Sequence, residues 1–87
     1  MRFPYRVLFY PAAERQLAKL AAGPRQRILD RVARLAADPR PRGTVKLTGA
    51  DDLHRVRVGD YRVIYQIRDD EVLVLVVAIG HRREVYR

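Results

Sequence analysis

The first part of the chain has the hydrophobic spacing of one strand followed by a helix. Residues 5–10 (YRVLFY) are rich in aromatic and apolar side chains, which is typical of a strand. Ala13, Leu17 and Leu20 then recur at positions i, i+4 and i+7, so they share one face of a helix. We expect this helix to end at Gly23, because glycine often follows the last helical turn.

A second helix is predicted to begin at Pro24 and to stop at the Asp38-Pro39 pair. Its apolar stripe consists of Ile28, Val32 and Leu35. Four arginines fall mostly outside that stripe: Arg25, Arg27, Arg31 and Arg34. The two helices should form a short hairpin that packs on a sheet.

In the rest of the chain, several segments have the residue pattern of β-strands. Residues 53–58 and 61–67 flank Gly59-Asp60, a two-residue connection that predicts a hairpin. Residues 72–79 are apolar on both faces, which predicts a central strand. Residues 44–47 are a candidate for a further short strand.

This order predicts an α+β domain, β-α-α-β-β-β, that spans residues 1–87 as a single unit. The expected architecture is a mainly antiparallel four-stranded sheet with the N-terminal two-helix hairpin packed on one face. The opposite face then receives Arg57, Arg62 and Arg55, and it is the candidate working surface.

Charge narrows the choice of partner. The chain has 18 basic residues against 10 acidic ones, a formal charge of +8, and only Lys19 and Lys46 among the basic residues are lysines. A guanidinium group is always charged and matches phosphate with two parallel hydrogen bonds. This balance indicates a polyanion or a strongly acidic protein as the partner.

Several kinds of site are excluded or disfavoured by composition. The chain has no cysteine, and its two histidines, His54 and His81, are too few for a convincing metal site, so we expect no cofactor. The N-terminus lacks the apolar core of a signal peptide, and the longest apolar run, residues 72–79, is too short to cross a membrane. A cytoplasmic location is expected.

The candidate chemistry rests on basic and aromatic side chains. Arg57 and Arg62 would share one sheet face, where they repel each other unless an anion lies between them. The chain ends in GHRREVYR, directly after the central strand. RNA carries its own nucleophile, the 2′-hydroxyl, so a site without a metal can cleave it by orienting that group, neutralising charge and moving protons. Metal-independent RNA cleavage is therefore the chemistry these residues fit best, and His54 is interpreted as a partly buried structural residue.

Across nearly the whole chain, the sequence resembles the RelE/ParE superfamily of type II toxins, on the RelE side. The resemblance lies in YRVLFYPAAERQLAKL, DPRPRGTVKL, LHRVRVGDYRVIYQI and VVAIGHRREVYR. It implies an mRNA endonuclease that acts in the ribosomal A site and is neutralised by a cognate antitoxin. It also implies that the antitoxin complex binds operator DNA through the antitoxin.

The resemblance also implies roles for particular residues. Lys46 or His81 would help to deprotonate the 2′-hydroxyl, Arg57 would stabilise the charge that develops on the phosphate, Arg82 would assist the leaving 5′-oxygen, and Tyr86 would stack on or orient a base. The expected RNA contacts are Arg62, Arg55, Arg42 and Arg40.

Three functions remain open at this point. The first is the ribosome-dependent endoribonuclease. The second is a ParE-like inhibitor that binds DNA gyrase without nuclease activity, and the third is a degenerate toxin that binds only antitoxin and operator DNA. The sequence leaves open whether His81 acts as base, phosphate ligand or bystander.

Overall fold

The computed structural model describes residues 4–47 and 52–81 and has two helices against one sheet. The elements in chain order are β1 Arg6–Phe9, α1 Pro11–Ala18, α2 Ala22–Ala37, β2 Val45–Lys46, β3 Leu53–Val58, β4 Tyr61–Arg68, a short 3-10 helix Asp69–Glu71, and β5 Leu73–His81. The strands are ordered β1-β5-β4-β3-β2. The α+β class is thus confirmed.

The sheet has five strands in the described residues, so the predicted count of four was too low. The outermost strand β2 has only two residues and pairs antiparallel with β3. At the other edge β1 pairs with β5 in parallel, with Val7 beside Val74. The other pairings are antiparallel, and β5, between β1 and β4, is an internal strand as its sequence predicted.

The boundary between the helices differs from the prediction. Helix α1 ends at Ala18, and α2 begins at Ala22, so Gly23 and Pro24 lie inside the first turn of α2. Proline is accepted there because the first backbone N–H groups of a helix have no partner within the helix. The glycine therefore does not end α1.

The start of β5 was also predicted one residue too early. Val72 has φ 51°, a left-handed conformation, and it follows the 3-10 helix. Its amide donates to the carbonyl oxygen of Asp69, 3.1 Å away, which closes the turn. The regular strand begins at Leu73.

The core lies between the helix pair and one face of the sheet. The helices contribute Ala13 and the predicted α2 stripe, and the sheet contributes alternating residues of β3, β4 and β5. The buried cluster consists of Ala13, Ile28, Val32, Leu35, Val56, Val63, Tyr65, Ile67, Val74, Val76 and Ile79. We call this the inner face of the sheet and the opposite side the outer face.

His54 and Tyr65 belong to the inner face. His54 is 7% exposed and its ring lies 5.7 Å from the ring of Tyr65, nearly parallel to it. The Tyr65 hydroxyl donates to the carbonyl oxygen of Pro39 at 2.7 Å, and burial raises the pKa of that hydroxyl. The position within the sheet that the sequence predicted for His54 is confirmed, and Tyr65 anchors the loop that leads into β2.

The β3–β4 hairpin fixes the register of the candidate site. Val58 pairs with Tyr61, so Gly59 and Asp60 are the two turn residues. Gly59 has φ 60°, whereas Asp60 has a negative φ, as in a type II′ turn with glycine first. This turn places Arg57 directly opposite Arg62.

Candidate functional site

Arg57 and Arg62 form the centre of the candidate site. They are paired neighbours on β3 and β4 and alternate with the inner-face residues, so both leave the sheet on its outer face, as predicted. The Nε of Arg57 donates to the carbonyl oxygen of Gly59 at 3.2 Å, which holds the guanidinium over the turn. Two like charges directly across a strand pair are unfavourable unless an anion balances them.

His81 lies at the same end of the sheet, but on the other face. It pairs with Tyr61, and the two rings meet edge to face at a centroid distance of 5.7 Å. A groove of about 480 Å³ is lined by these two rings, the end of α1 and the end of β5. His81 therefore reaches the Arg57–Arg62 pair only around the end of the sheet.

Lys46 does not lie beside the Arg57–Arg62 pair, although the sequence predicted that all three belong to one site. It is exposed on β2 and pairs with His54, so its register places it on the inner-face side. His54 is three residues before Arg57 on β3, a distance of about 10 Å along the strand. Lys46 and the arginine pair are thus not brought together on one face of the sheet.

The four predicted RNA contacts lie in different places. Arg62 is in the pair described above, and Arg55 lies one row away on the outer face. Arg42 is exposed in the loop before β2. Arg40 is at the opposite end of the sheet, where its guanidinium forms an ion pair with Asp69 at 2.9 Å.

Arg40 and Asp69 belong to a small polar cluster with Tyr5. The Tyr5 hydroxyl donates to Asp69 Oδ1 at 2.6 Å, and Arg40 contacts both carboxylate oxygens. The hydrogen bonds from Arg40 and Tyr5 hold the pKa of Asp69 below its usual value. The cluster joins the residue before β1, the loop after α2 and the turn between β4 and β5.

Two predicted catalytic residues, Arg82 and Tyr86, lie outside the described residues. They follow His81 in the sequence. Their roles stay predictions.

The outer face of the sheet has an apolar middle and basic ends. Arg57 and Arg62 form one end, and Arg6 and Arg68 lie at the other, both beside Leu73. Between them lie apolar residues contributed by all five strands: Leu8, Val45, Leu53, Ile64, Leu73, Leu75 and Ala78. Leu8 and Val45 remain 48% and 45% exposed.

Sequence reasoning missed a second basic surface, between α2 and the edge of β3. This groove has a volume of about 330 Å³. Its lining residues are Arg27, Asp30, Arg31, Arg34, Arg57 and Val58. A signal was present in the sequence: the three α2 arginines each directly precede a core residue of the helix, so they form a stripe beside the buried one.

Among residues 4–47 and 52–81, no group of three or more His, Asp or Glu side chains could hold a metal ion. In the same residues, neither helix has the length and apolar character needed to cross a membrane.

Comparison with known proteins gives consistent matches over nearly the full length. The chain is 29% identical over 82 residues to the mRNA interferase toxin RelE of Escherichia coli K12, covering 90% of this chain and 85% of that protein. The fold is similar to the archaeal RelE–RelB complex from Pyrococcus horikoshii OT3, with a TM-score of 0.83, 30% identity, and coverage of 94% of this chain and 99% of the other. The intact Escherichia coli RelBE toxin–antitoxin complex gives a TM-score of 0.80 and 26% identity, over 88% of this chain and 95% of the other.

The profile of one protein family, described as the ParE toxin of the type II toxin–antitoxin system parDE, matches residues 7–86. Since the match covers almost the whole chain, and the fold and relatives agree with it, the protein belongs to the RelE/ParE superfamily of type II toxins.

Proposed function

We propose that this chain is the toxin of a type II toxin–antitoxin system and an endoribonuclease that cleaves mRNA in the ribosomal A site. The observation that carries the proposal is the Arg57–Arg62 pair on the outer face of the sheet, at the same end of the sheet as His81. The mRNA interferase relatives support the same activity.

The proposed reaction uses the 2′-hydroxyl of the RNA as nucleophile. Its oxygen attacks the adjacent phosphorus, the bond from phosphorus to the 5′-oxygen breaks, and the products are a 2′,3′-cyclic phosphate and a 5′-hydroxyl. The proton lost by the 2′-hydroxyl goes to a base, and the leaving 5′-oxygen takes a proton from an acid. The protein therefore has to supply only positioning, positive charge and proton transfer.

Arg57 and Arg62 are the groups proposed to stabilise the negative charge of the pentacoordinate phosphate. Their pairing places two arginines side by side on a rigid sheet, and the hydrogen bond from Arg57 to Gly59 reduces the freedom of one guanidinium group. Preorganised charge of this kind stabilises a transition state more than flexible charge does. Arg55 extends the basic surface by one row.

His81 is the proposed base among the described residues, because it lies at the same end of the sheet as the arginine pair. Lys46 is the alternative base, and it lies on the edge strand β2. Arg82 and Tyr86 retain their proposed roles at the leaving oxygen and at a base of the RNA. Arg42 and Arg40 are proposed as peripheral RNA contacts, and the ion pair with Asp69 reduces the charge that Arg40 offers.

The proposed antitoxin is a protein that is acidic or contains an amphipathic segment, and this segment covers the outer face of the sheet. The exposed Leu8 and Val45 offer apolar area to such a segment, and the basic ends offer charge complementarity. Complexes of related toxins with RelB antitoxins support a partner of this kind. Binding of operator DNA through the antitoxin is part of the same proposal.

The gyrase-inhibitor function is the second candidate, because the matching family profile is described by the ParE toxin. It is less favoured, since the curated relatives are mRNA interferases and the similar complexes contain RelE. The two functions differ in the target: cleaved message supports the first, and intact message with gyrase-dependent DNA damage supports the second.

Alanine substitutions test the proposed site. We expect Arg57→Ala, Arg82→Ala and Tyr86→Ala each to lower the rate of mRNA cleavage in a purified translation system by about 100-fold or more. Antitoxin binding, measured by calorimetry, should stay largely intact for Arg82→Ala and Tyr86→Ala. The control is Arg15→Ala, on the exposed side of α1. Full toxicity of an Arg82→Ala/Tyr86→Ala double variant would contradict the nuclease.

A further inference from the structure

The groove between α2 and β3 exists because β2 is short. β2 pairs only with residues 54 and 55 of β3, so the last residues of β3 lie at the edge of the sheet. The groove contains four arginines and one aspartate. Its positive charge therefore exceeds its negative charge by three.

The charge in the groove is not balanced by ion pairs in the part of the chain that the structure describes. Its one carboxylate, Asp30, accepts a hydrogen bond from Gln26 Nε2 at 2.9 Å. The salt bridges of the described residues, Arg40–Asp69 and Arg68–Glu71, lie elsewhere. The Nε of Arg31 is buried, and within residues 4–47 and 52–81 no acceptor reaches it.

The helical spacing of the three α2 arginines is also unfavourable without an anion. Arg27, Arg31 and Arg34 are separated by four and three residues, so they are neighbours on one side of the helix. Like charges at these separations destabilise a helix. Along the helix axis their backbone positions are about 6 Å and about 4.5 Å apart, so the three side chains start from a stretch of about 10 Å.

We propose that this groove binds the sugar–phosphate backbone of single-stranded RNA beside the cleavage site. Arg57 belongs to both surfaces: it is paired with Arg62 on the sheet and it also lines the groove. A strand whose scissile phosphate lies at the arginine pair can therefore continue around the edge of β3 onto α2. The inference rests on the proposed RNA cleavage for the position of that phosphate.

The lining of the groove favours RNA over an acidic protein segment. Among the residues that the structure describes, Val58 is the only apolar one in the lining, so an amphipathic segment would bury little apolar surface there. On the outer face, Leu8 and Val45 are exposed, so such a segment would bury more apolar surface there. A row of guanidinium groups instead matches the phosphates of a polyanion.

The test measures binding of a short, fully 2′-O-methylated RNA, which keeps the phosphates but has no nucleophile. We compare the wild-type protein with Arg27→Gln/Arg34→Gln by fluorescence anisotropy at several salt concentrations. The expected result is an affinity about tenfold lower and a salt dependence shallower by about 1.4, or about 0.7 for each phosphate that the variant no longer binds. Arg27→Lys/Arg34→Lys keeps the charge and should retain most of the salt dependence.

The matched control is Arg15→Gln/Arg25→Gln, which removes two charges from the exposed side of α1 and from the first part of α2, outside both grooves. It should keep nearly the wild-type salt dependence. Equal losses of affinity in the control and the groove variant would overturn the proposal, because net charge alone would then explain binding. If the double glutamine variant does not fold, each single variant must lower the salt dependence by about 0.7.

Further results distinguish an RNA-binding groove from an antitoxin-binding groove, and from the proposed nuclease activity itself. Wild-type RNA affinity together with a loss of antitoxin binding in the groove variant would assign the groove to an acidic protein and overturn the inference. A wild-type protein that leaves message intact, while the groove variant loses affinity for the methylated RNA, would remove the proposed nuclease but support the groove. If the wild-type protein cleaves message but the groove variant binds the methylated RNA as tightly as the wild type does, the nuclease is supported and the RNA-binding groove is overturned.

Discussion

At the scale of single residues, Arg57 connects two surfaces because of its place in the hairpin. Its side chain leaves the strand on the outer face, beside that of Arg62, but β2 does not extend along β3 as far as Arg57. The side chain of an edge residue can extend past the strand, so it also lines the groove beside α2. The sequence predicted the pairing, since alternation and the Gly59-Asp60 turn fix the register, but not the groove, which depends on the length of β2.

Arg40 was predicted to contact RNA, but a contact with a residue distant in sequence gives it a structural role. As part of the basic loop 40–43 it resembles a phosphate ligand, whereas in the fold its guanidinium meets Asp69, 29 positions later. No local pattern predicts that contact, because it depends on how the end of α2 meets the β4–β5 turn. We therefore expect Arg40 to contribute more to stability than to RNA binding.

The pH dependence of stability tests this cluster. The pKa of Asp69 is lower in the folded chain than the ordinary value of 3.8, so the carboxylate stabilises the fold at neutral pH. That contribution is fully present above the unfolded pKa and is lost as the pH falls through the folded pKa. Asp69→Asn should lower the melting temperature at neutral pH, and the difference from wild type should shrink below about pH 4.

Thermal unfolding followed by circular dichroism across this pH range gives the measurement. Asp70→Asn is the matched control, since the neighbouring carboxylate is also exposed. A difference between wild type and Asp69→Asn that is constant from neutral to acid pH would contradict the role assigned to the carboxylate.

At the scale of elements, local signals predicted the hairpin but not the ends of the helices. Strand β3 spans the predicted residues 53–58, because alternation and a two-residue glycine turn act locally. Gly23 and Pro24, in contrast, indicate a helix end and a helix start, but both are compatible with a first turn. The parallel pairing of β1 with β5 joins strands more than 60 residues apart, and neither strand's own sequence predicts it.

A pair of glycine substitutions tests these two elements together. Gly59→Ala should destabilise the protein by about 1–2 kcal/mol, because a φ of 60° is strained for a residue with a Cβ, although the position is open to solvent. Gly23→Ala should be neutral or stabilising by up to about 1 kcal/mol, because it adds a better helix former in open space.

Urea denaturation of both variants measures the difference. A loss of stability in Gly23→Ala as large as in Gly59→Ala would contradict the placement of Gly23 inside α2. If the turn also positions the active arginines, Gly59→Ala should slow RNA cleavage more than Gly23→Ala does.

At the scale of the whole molecule, basic and apolar surfaces are arranged for two different partners. The outer face of the sheet combines exposed leucine and valine with arginines at both ends, which suits an amphipathic protein segment. The groove beside α2 is almost entirely polar and positively charged, which suits RNA. The two surfaces meet at Arg57, so an antitoxin bound as proposed on the outer face would block the proposed reaction without filling the groove.

For the candidate site, the sequence predicted the pairing of two arginines but not the face on which the other described residues lie. Arg57 and Arg62 are adjacent as expected, but His81 and Lys46 are on the inner-face side, because strand pairing determines which face each residue takes. Arg82 and Tyr86 lie beyond the described residues, so their roles rest on the resemblance to RelE toxins. The alternation within a strand is local, whereas the relative phase of β2, β3 and β5 depends on their pairing.

The central claim is that this chain cleaves mRNA by attack of the 2′-hydroxyl, and the chemistry of the new RNA ends tests it most directly. Message should be recovered after brief induction of the wild-type protein and its ends mapped by primer extension and by ligation reactions specific for each end group. We predict discrete cuts within translated codons, with 5′-hydroxyl ends and 2′,3′-cyclic phosphates or the phosphates formed when these open. Cuts that carry 5′-phosphate and 3′-hydroxyl ends, or intact message with gyrase-dependent DNA damage, would contradict it.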